Sequence, residues 1–231
     1  MKRFWKSAEA VHEPDGWAIR LDDKPLKTPT RESLLVPTEA LARGITGEWN
    51  SVEERIDPRT MPLTGLANAA IDRVRPNPAA FAAGLAKYVE ADLTCYRVEA
   101  PRELVARQEQ NWDHLLNWAR RRFDVDFRTT RGIVHIDQPQ ATLDRLSHAL
   151  SVLDEFHLAG LSPLVTIGGS LVVALAVLDG ELSPNNAWDT VTIDDQWQLE
   201  QWGDDPEAEQ RLQNSRRDFL AAARFLDLLS D

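Results

Sequence analysis

A single cysteine, Cys95, in 231 residues removes any intramolecular disulfide framework and makes a reducing compartment the expected setting. Basic charge is also scarce: 26 Lys and Arg stand against 37 Asp and Glu, a formal charge of −11. An acidic surface repels phosphate backbones and anionic lipid, so general nucleic-acid binding and a polybasic membrane role are not expected. The cluster Arg120-Arg121-Arg122 does not reverse this, because it ends a predicted helix, where cations suit the dipole.

Long hydrophobic runs are lacking too. Leu158 to Leu178 carries no charge and is just long enough to span a bilayer. Ser162-Pro163 reads as an N-cap followed by a first-turn proline, and Gly168-Gly169 interrupts the middle. The unbroken apolar stretch is only Leu171 to Leu178, stopped by Asp179-Gly180, with no Lys or Arg flank to orient it. A buried central helix is expected, with no membrane insertion. The opening Met1-Lys2-Arg3-Phe4-Trp5 has neither an apolar signal core nor an Arg/Ser-rich presequence. A bacterial cytoplasmic chain is expected, or a processed form in the mitochondrial matrix.

The signatures of chemistry are missing as well. Cys95, in Leu93-Thr94-Cys95-Tyr96, has no neighbouring histidine to activate it, and buried cysteine is the ordinary state of that residue. No Gly-x-Ser-x-Gly elbow occurs. Histidines 12, 114, 135, 148 and 157 are scattered without ligand spacing. Gly168-Gly169-Ser170 could offer backbone N–H groups to an anion, but lacks the lysine of a P-loop and the third glycine of a dinucleotide fingerprint. The carboxylate pairs Glu53-Glu54, Asp194-Asp195 and Asp204-Asp205 read as solvated surface. No catalytic residue, metal site or cofactor is expected.

What is present divides into a β-rich start and a helical remainder, an α+β arrangement with a small N-terminal antiparallel β domain over 1–60 and a mainly α-helical domain over 61–231. Trp17, Ile19 and Leu21 alternate as in a half-buried strand, between the turns Pro14-Asp15-Gly16 and Asp22-Asp23-Lys24. Phe4 to Val11 precedes it as a partner; Leu26-Lys27-Thr28 and Leu34-Leu35-Val36 follow. Thr38 is an N-cap for a helix with Leu41, Ile45, Trp49 and Val52 on one face. A second helix starts near Thr64 with Leu66, Ala70, Ile71 and Val74 inward, and a third after Asn77-Pro78 carries Phe81, Leu85, Tyr88 and Val89. A fourth, from Pro101, lines up Leu104, Gln108, Trp112, Leu115 and Ala119. Arg128 to Ile136 reads as a hairpin around Gly132, and Thr142 to His157 as one helix. The last helix spaces Ala208, Leu212, Ser215, Phe219, Ala222, Leu226 and Leu229 alternately by four and three, a short seam that suits intramolecular packing or a dimer.

Tryptophan is abundant. Eight of the seventeen aromatics are Trp, and three gather in Trp188 to Trp202 among Asp194, Asp195, Gln196, Gln198 and Glu200. Tryptophan is enriched at the energetic centres of interfaces. Two readings of Trp197 and Trp202 stand: core filling between short helices, or an interaction surface.

Three long segments resemble the ATP-synthase alpha-subunit assembly chaperones, the ATP-twelve family. They are Arg3-Phe4-Trp5-Lys6 continuing to Leu21-Asp22-Asp23-Lys24-Pro25-Leu26-Lys27-Thr28-Pro29; Glu48-Trp49 through Ile56-Asp57-Pro58 and Met61-Pro62-Leu63-Thr64 to Ala70-Ile71-Asp72; and Asp92-Leu93-Thr94-Cys95-Tyr96-Arg97 with Gln108, Trp112-Asp113 and Trp118-Ala119. A weaker echo runs from Ser170-Leu171 to Gln201-Trp202-Gly203, with Asp194 and Asp195 where the family often has glutamate.

The resemblance implies no catalysis. It implies binding of the unassembled alpha subunit of the F-type synthase's catalytic head until the beta subunit displaces the chaperone, which would be a monomer when free. On that implication Asp194, Asp195, Trp197, Gln198 and Trp202 are the candidate client-binding residues. Trp49, sharing a helix face with Leu41 and Ile45, is a structural support or a further contact. The alternatives are a helical scaffold that homodimerises through its last helix, and an enzyme with an unrecognised carboxylate/His site.

Overall fold

A computed structural model describes residues 2–203 and 205–230. The chain divides into two compact units. One is formed by residues 1–78, 154–160 and 224–231, the other by 79–153 and 161–223, so each is assembled from segments distant in sequence. A small antiparallel sheet and a larger helical part make the fold α+β.

In the first unit the sheet is built on β2 (Gly16–Leu21). Along its whole length β2 pairs with β1 (Ala8–Glu13), and it also pairs with β3 (Lys24–Pro25) through Arg20 and Leu21 and with β4 (Leu35–Val36) through Trp17 and Ala18. The expected alternation is only half right: Ile19 and Leu21 are buried, but so is Ala18. The start of edge strand β1 is closed by a side chain. The Asn50 carboxamide accepts from Ala8 N at 2.8 Å and donates to Ala8 O at 3.0 Å, the two bonds a neighbouring strand would make.

The helix α1 (Glu39–Asn50) begins at Thr38, whose Oγ1 accepts from Leu41 N and donates to Leu228 O. Its buried face is Leu41, Ile45 and Trp49, continued by Val52 just beyond it. Trp5 packs edge-on against Trp49 at 5.0 Å between ring centroids and donates its Nε1–H to Trp49 O. The carboxylate of Glu48 reaches α2 (Pro62–Ala69), accepting from Leu63 N at 2.7 Å and from Thr64 N and Oγ1 at 2.8 and 2.7 Å. An anion on free N–H groups suits the positive end of a helix. The inward residues of α2 are Leu63 and Ala67 rather than Leu66, and a π-helical turn (Ala70–Val74) continues it with Ala70, Ile71 and Val74 buried.

In the second unit α3 (Pro78–Ala86) leads through 3-10 turns to a two-stranded parallel pair, β5 (Tyr96–Arg97) with β6 (Thr130–Arg131). Between them runs α4 (Arg102–Phe123), whose stripe Leu104, Gln108, Trp112, Leu115 and Ala119 is buried throughout. Each large apolar member contributes about 1.5–3 kcal/mol by burial. The helix packs against α5 (Gln140–Ser151), α7 (Leu171–Leu178) and α9 (Ile193–Trp202). The remaining helices are α6 (Glu155–Gly168), α8 (Pro184–Val191) and α10 (Pro206–Asp227).

Three expectations are corrected. The strand at Thr130 pairs with β5 instead of folding back, and Ile133 and Val134 stand exposed. Thr142 to His157 breaks at Val152-Leu153-Asp154, because the Asp154 carboxylate accepts from Phe156 N and His157 N and starts α6. Ser162-Pro163 therefore lies inside α6 instead of capping it. The chain does break at Gly169, which takes φ +65°. No helix among the described residues is long and apolar enough to cross a membrane.

The N-terminus of α7 meets a wholly buried carboxylate. Asp92 Oδ1 accepts from Thr94 N, Thr94 Oγ1 and Ser170 Oγ at 3.0, 2.7 and 2.7 Å, while Oδ2 accepts from Val172 N at 3.0 Å. Burial pushes its carboxyl up from the ordinary carboxylate range, and the four donors oppose that shift. The anion that Gly168-Gly169-Ser170 could bind is supplied by the chain itself.

Asp92→Ala should therefore cost about 3 kcal/mol or more, since it strands several buried donors at once. Urea denaturation checks this; an unchanged midpoint would remove the carboxylate from the stabilising core. The second test concerns pH. The Asp154 carboxylate beside His157 raises the histidine's pKa from 6.5, so the pair's contribution is complete below about 6.5 and fades as pH rises through the higher folded value. The stability difference between wild type and His157→Gln, measured by urea denaturation, should shrink as pH rises from about 6 to about 8; a difference that stays constant or grows would contradict the pairing.

Candidate functional site

The residues singled out by sequence fall on α9, a ten-residue helix following Thr192. Its sequence alternates roles by face. Ile193 is buried, and Trp197 packs half-buried onto the cluster of Leu104, Trp112 and Ile193. Asp195, Gln198, Glu200 and Trp202 open to solvent, and Trp202 is 80% exposed.

Two contacts from α4 fix the helix. Gln108, itself buried, donates its Nε2–H to Asp194 Oδ1 at 2.7 Å and accepts from Val98 N at 2.9 Å, so one amide joins three segments. Arg107 lies over the Trp197 ring at 5.3 Å and donates to both Glu200 oxygens, at 2.8 and 3.0 Å. That pair holds the Glu200 carboxyl below its ordinary range. Among the described residues Asp195 has no such partner: partial desolvation and then the adjacent Asp194 charge push its carboxyl up.

The helix is a ridge between two grooves. One, of about 570 Å³, has Trp188, Val191, Asp195, Leu199, Trp202 and Leu212 among its walls. The other, of about 470 Å³, includes Val98, Leu104, Asp194, Trp197 and Trp202. Gln198 and Trp202 border both. Of the five candidate residues, Asp194 and Trp197 are thus tied into the packing of α9, while Asp195, Gln198 and Trp202 are presented outward. The two rings are placed differently: Trp197 is packed half-buried and Trp202 is exposed. Trp49 lies elsewhere, buried against Trp5 in the other unit.

Burial first, then the Asp92 charge, pushes the Cys95 thiol up to about 12, far from a nucleophile. Among the described residues no three His, Cys, Asp or Glu side chains gather around a possible metal position. Glu53 and Glu54 are exposed; Asp205 caps α10 by accepting from Glu207 N and Ala208 N; Asp204 lies outside the described residues.

The family model described as ATP12 chaperone protein matches residues 2–120. The chain belongs to the ATP12 chaperone family. The crystal structure of Atp12 from Paracoccus denitrificans is similar at TM-score 0.94 and 41% identity, covering 99% of this chain and 98% of that one. A putative chaperone from Agrobacterium tumefaciens, Atu1473, reaches TM-score 0.94 at 35% identity, over 99% of this chain and 86% of that one. In sequence, mitochondrial atp12 of Schizosaccharomyces pombe is 26% identical over 97% of this chain and 81% of its own. The matched residues 2–120 stop before α9, so the ridge belongs to the part that only the whole-chain comparisons reach.

Sequence reasoning missed Arg107 as the clamp on Trp197. The available signal was its place beside Gln108 on α4, one step off the buried stripe, where a long side chain can reach a neighbouring helix. The Val191 and Leu212 walls were also missed, having no mark beyond ordinary apolarity.

The two aspartates should respond differently. Asp194→Ala leaves the buried Gln108 amide unpaired and should cost about 1–3 kcal/mol, whereas Asp195→Ala should stay within about 0.5 kcal/mol. Equal unfolding midpoints for the two variants would contradict this division.

Proposed function

We propose that this ATP12-family chaperone holds the unassembled alpha subunit of the F-type ATP synthase head and prevents its aggregation until the beta subunit replaces it. It does so without catalysis or cofactor. The carrying observation is Trp202, 80% exposed at the end of a helix that is otherwise firmly clamped, with a groove on either side. A large ring held out on a rigid support contacts a partner at little entropic cost. Asp195 and Gln198 lie on the same ridge and provide a polar rim, the make-up of a moderate, releasable interface.

Unassembled alpha presents apolar surface that is to meet beta, and such surface drives aggregation. A cover anchored by few aromatic residues suppresses self-association and still yields to the cognate partner. The dimeric-scaffold reading has less support, because Phe219, Ala222, Leu226 and Leu229 of the last helix's seam are buried within the chain. A free monomer in the bacterial cytoplasm fits that use of the seam.

Light scattering of diluted, isolated alpha subunit should fall when the protein is added at equal molar amount, and scattering of an unrelated aggregating protein should not. Asp195→Lys should reduce the protection with its unfolding midpoint unchanged; full protection by that variant removes Asp195 from the client surface.

A further inference from the structure

On one side of α9 a guanidinium is already held. Arg107 stacks over Trp197 and pairs bidentately with Glu200, three residues further along the same helix. Aromatic face and carboxylate together grip one planar cation, a geometry that favours arginine over lysine. The opposite groove also has an indole and a helix-borne carboxylate, seven residues apart instead of three, and among the described residues that acid has no ion-pair partner. Trp202 is exposed, and Asp195, two helical turns earlier, lines the same wall. Asp205, while capping α10, adds a second carboxylate to that groove.

Acidic charge predominates here. From Ile193 to Gln210 the chain has seven Asp and Glu and no Lys or Arg; Arg211 is the basic residue among those lining the groove. Behind the acidic rim lie Ile167, Val191, Leu199 and Leu212, a floor suited to aliphatic groups. The volume of about 570 Å³ admits more than one side chain.

We infer that this groove takes an apolar segment of the client carrying an arginine, its guanidinium stacked on Trp202 and paired with Asp195. The inference rests on the client-holding reading above and names what that surface recognises. An exposed ion pair is screened by salt, while stacking and apolar burial are screened far less, so the two parts of the site separate experimentally.

The test is the dissociation constant of the full chain with isolated synthase alpha subunit at low and at moderate salt, for wild type, Asp195→Asn and Trp202→Ala. Asp195→Asn should weaken the low-salt complex by at most about fivefold and flatten its salt dependence, whereas Trp202→Ala should weaken it about thirtyfold or more at both salts. N-acetylarginine amide should dissociate the wild-type complex more effectively than N-acetyllysine amide at equal ionic strength. Normal complexes with both variants, and no difference between the two amides, would overturn the groove assignment and leave the client reading in place. Absence of any complex with the wild-type chain would overturn both.

Discussion

The helical unit depends on one carboxylate. Asp92 is fully buried, yet all its partners are donors: two from Thr94, one from Ser170 and one from the backbone of Val172. A buried charge is tolerable only when hydrogen-bonded on this scale, and the N-terminus of α7 contributes its dipole as well. The bond to Ser170 closes 78 residues of chain onto the turn before β5. With α7 fixed there, α4 has an apolar neighbour for its stripe, and the indole of Trp112 can donate to Thr190 O at 2.9 Å. The same device recurs where Glu48 caps α2 and Asp154 caps α6. Each case satisfies donors that a helix leaves open and ties the helix to a particular place.

That rigidity explains how an exposed tryptophan can be maintained. From α4, Gln108 and Arg107 grip α9 at Asp194, Trp197 and Glu200, and Ile193 buries its first turn. These contacts use one side of the helix. The outward residues Asp195, Gln198 and Trp202 do not have to hold α9 in place and are free to meet another surface. Support and exposure are divided between neighbouring residues of a single short helix.

The long amphipathic elements were legible because their signal is local. The α4 stripe and the Thr38 cap follow from spacing and from the chemistry of a hydroxyl before a helix. The staples were not legible: the Asp92–Ser170 bond joins residues whose proximity no window of sequence contains. Local signals also misled. Ile133, Val134 and Ile136 have the branched side chains of a strand, but among the described residues the pairing nearby is made by Thr130 and Arg131, with β5. Across Ser151 the apolar spacing continues from Leu150 to Leu153, while the Asp154 cap restarts the helix in a new frame. For the candidate site, the clustering of Trp with acids drew attention to α9, but only the fold assigned Trp197 inward and Trp202 outward.

The magnitudes bear on release. An aromatic anchor at an interface contributes about 2–4 kcal/mol, and an exposed ion pair about 0–1 kcal/mol. Micromolar association requires about 8 kcal/mol. The Trp202 groove therefore cannot supply a holding complex alone, and the second groove across the ridge is the adjacent place for further contact. On the proposed reading, two modest footholds on one rigid helix have a kinetic consequence. A subunit that competes for either one loosens the other, because half of the contact no longer suffices to hold the client. A single deep pocket would hold as tightly but would have to be vacated in one step. On the proposed client-holding reading, in which the client passes to a partner subunit, the divided ridge is the more suitable geometry.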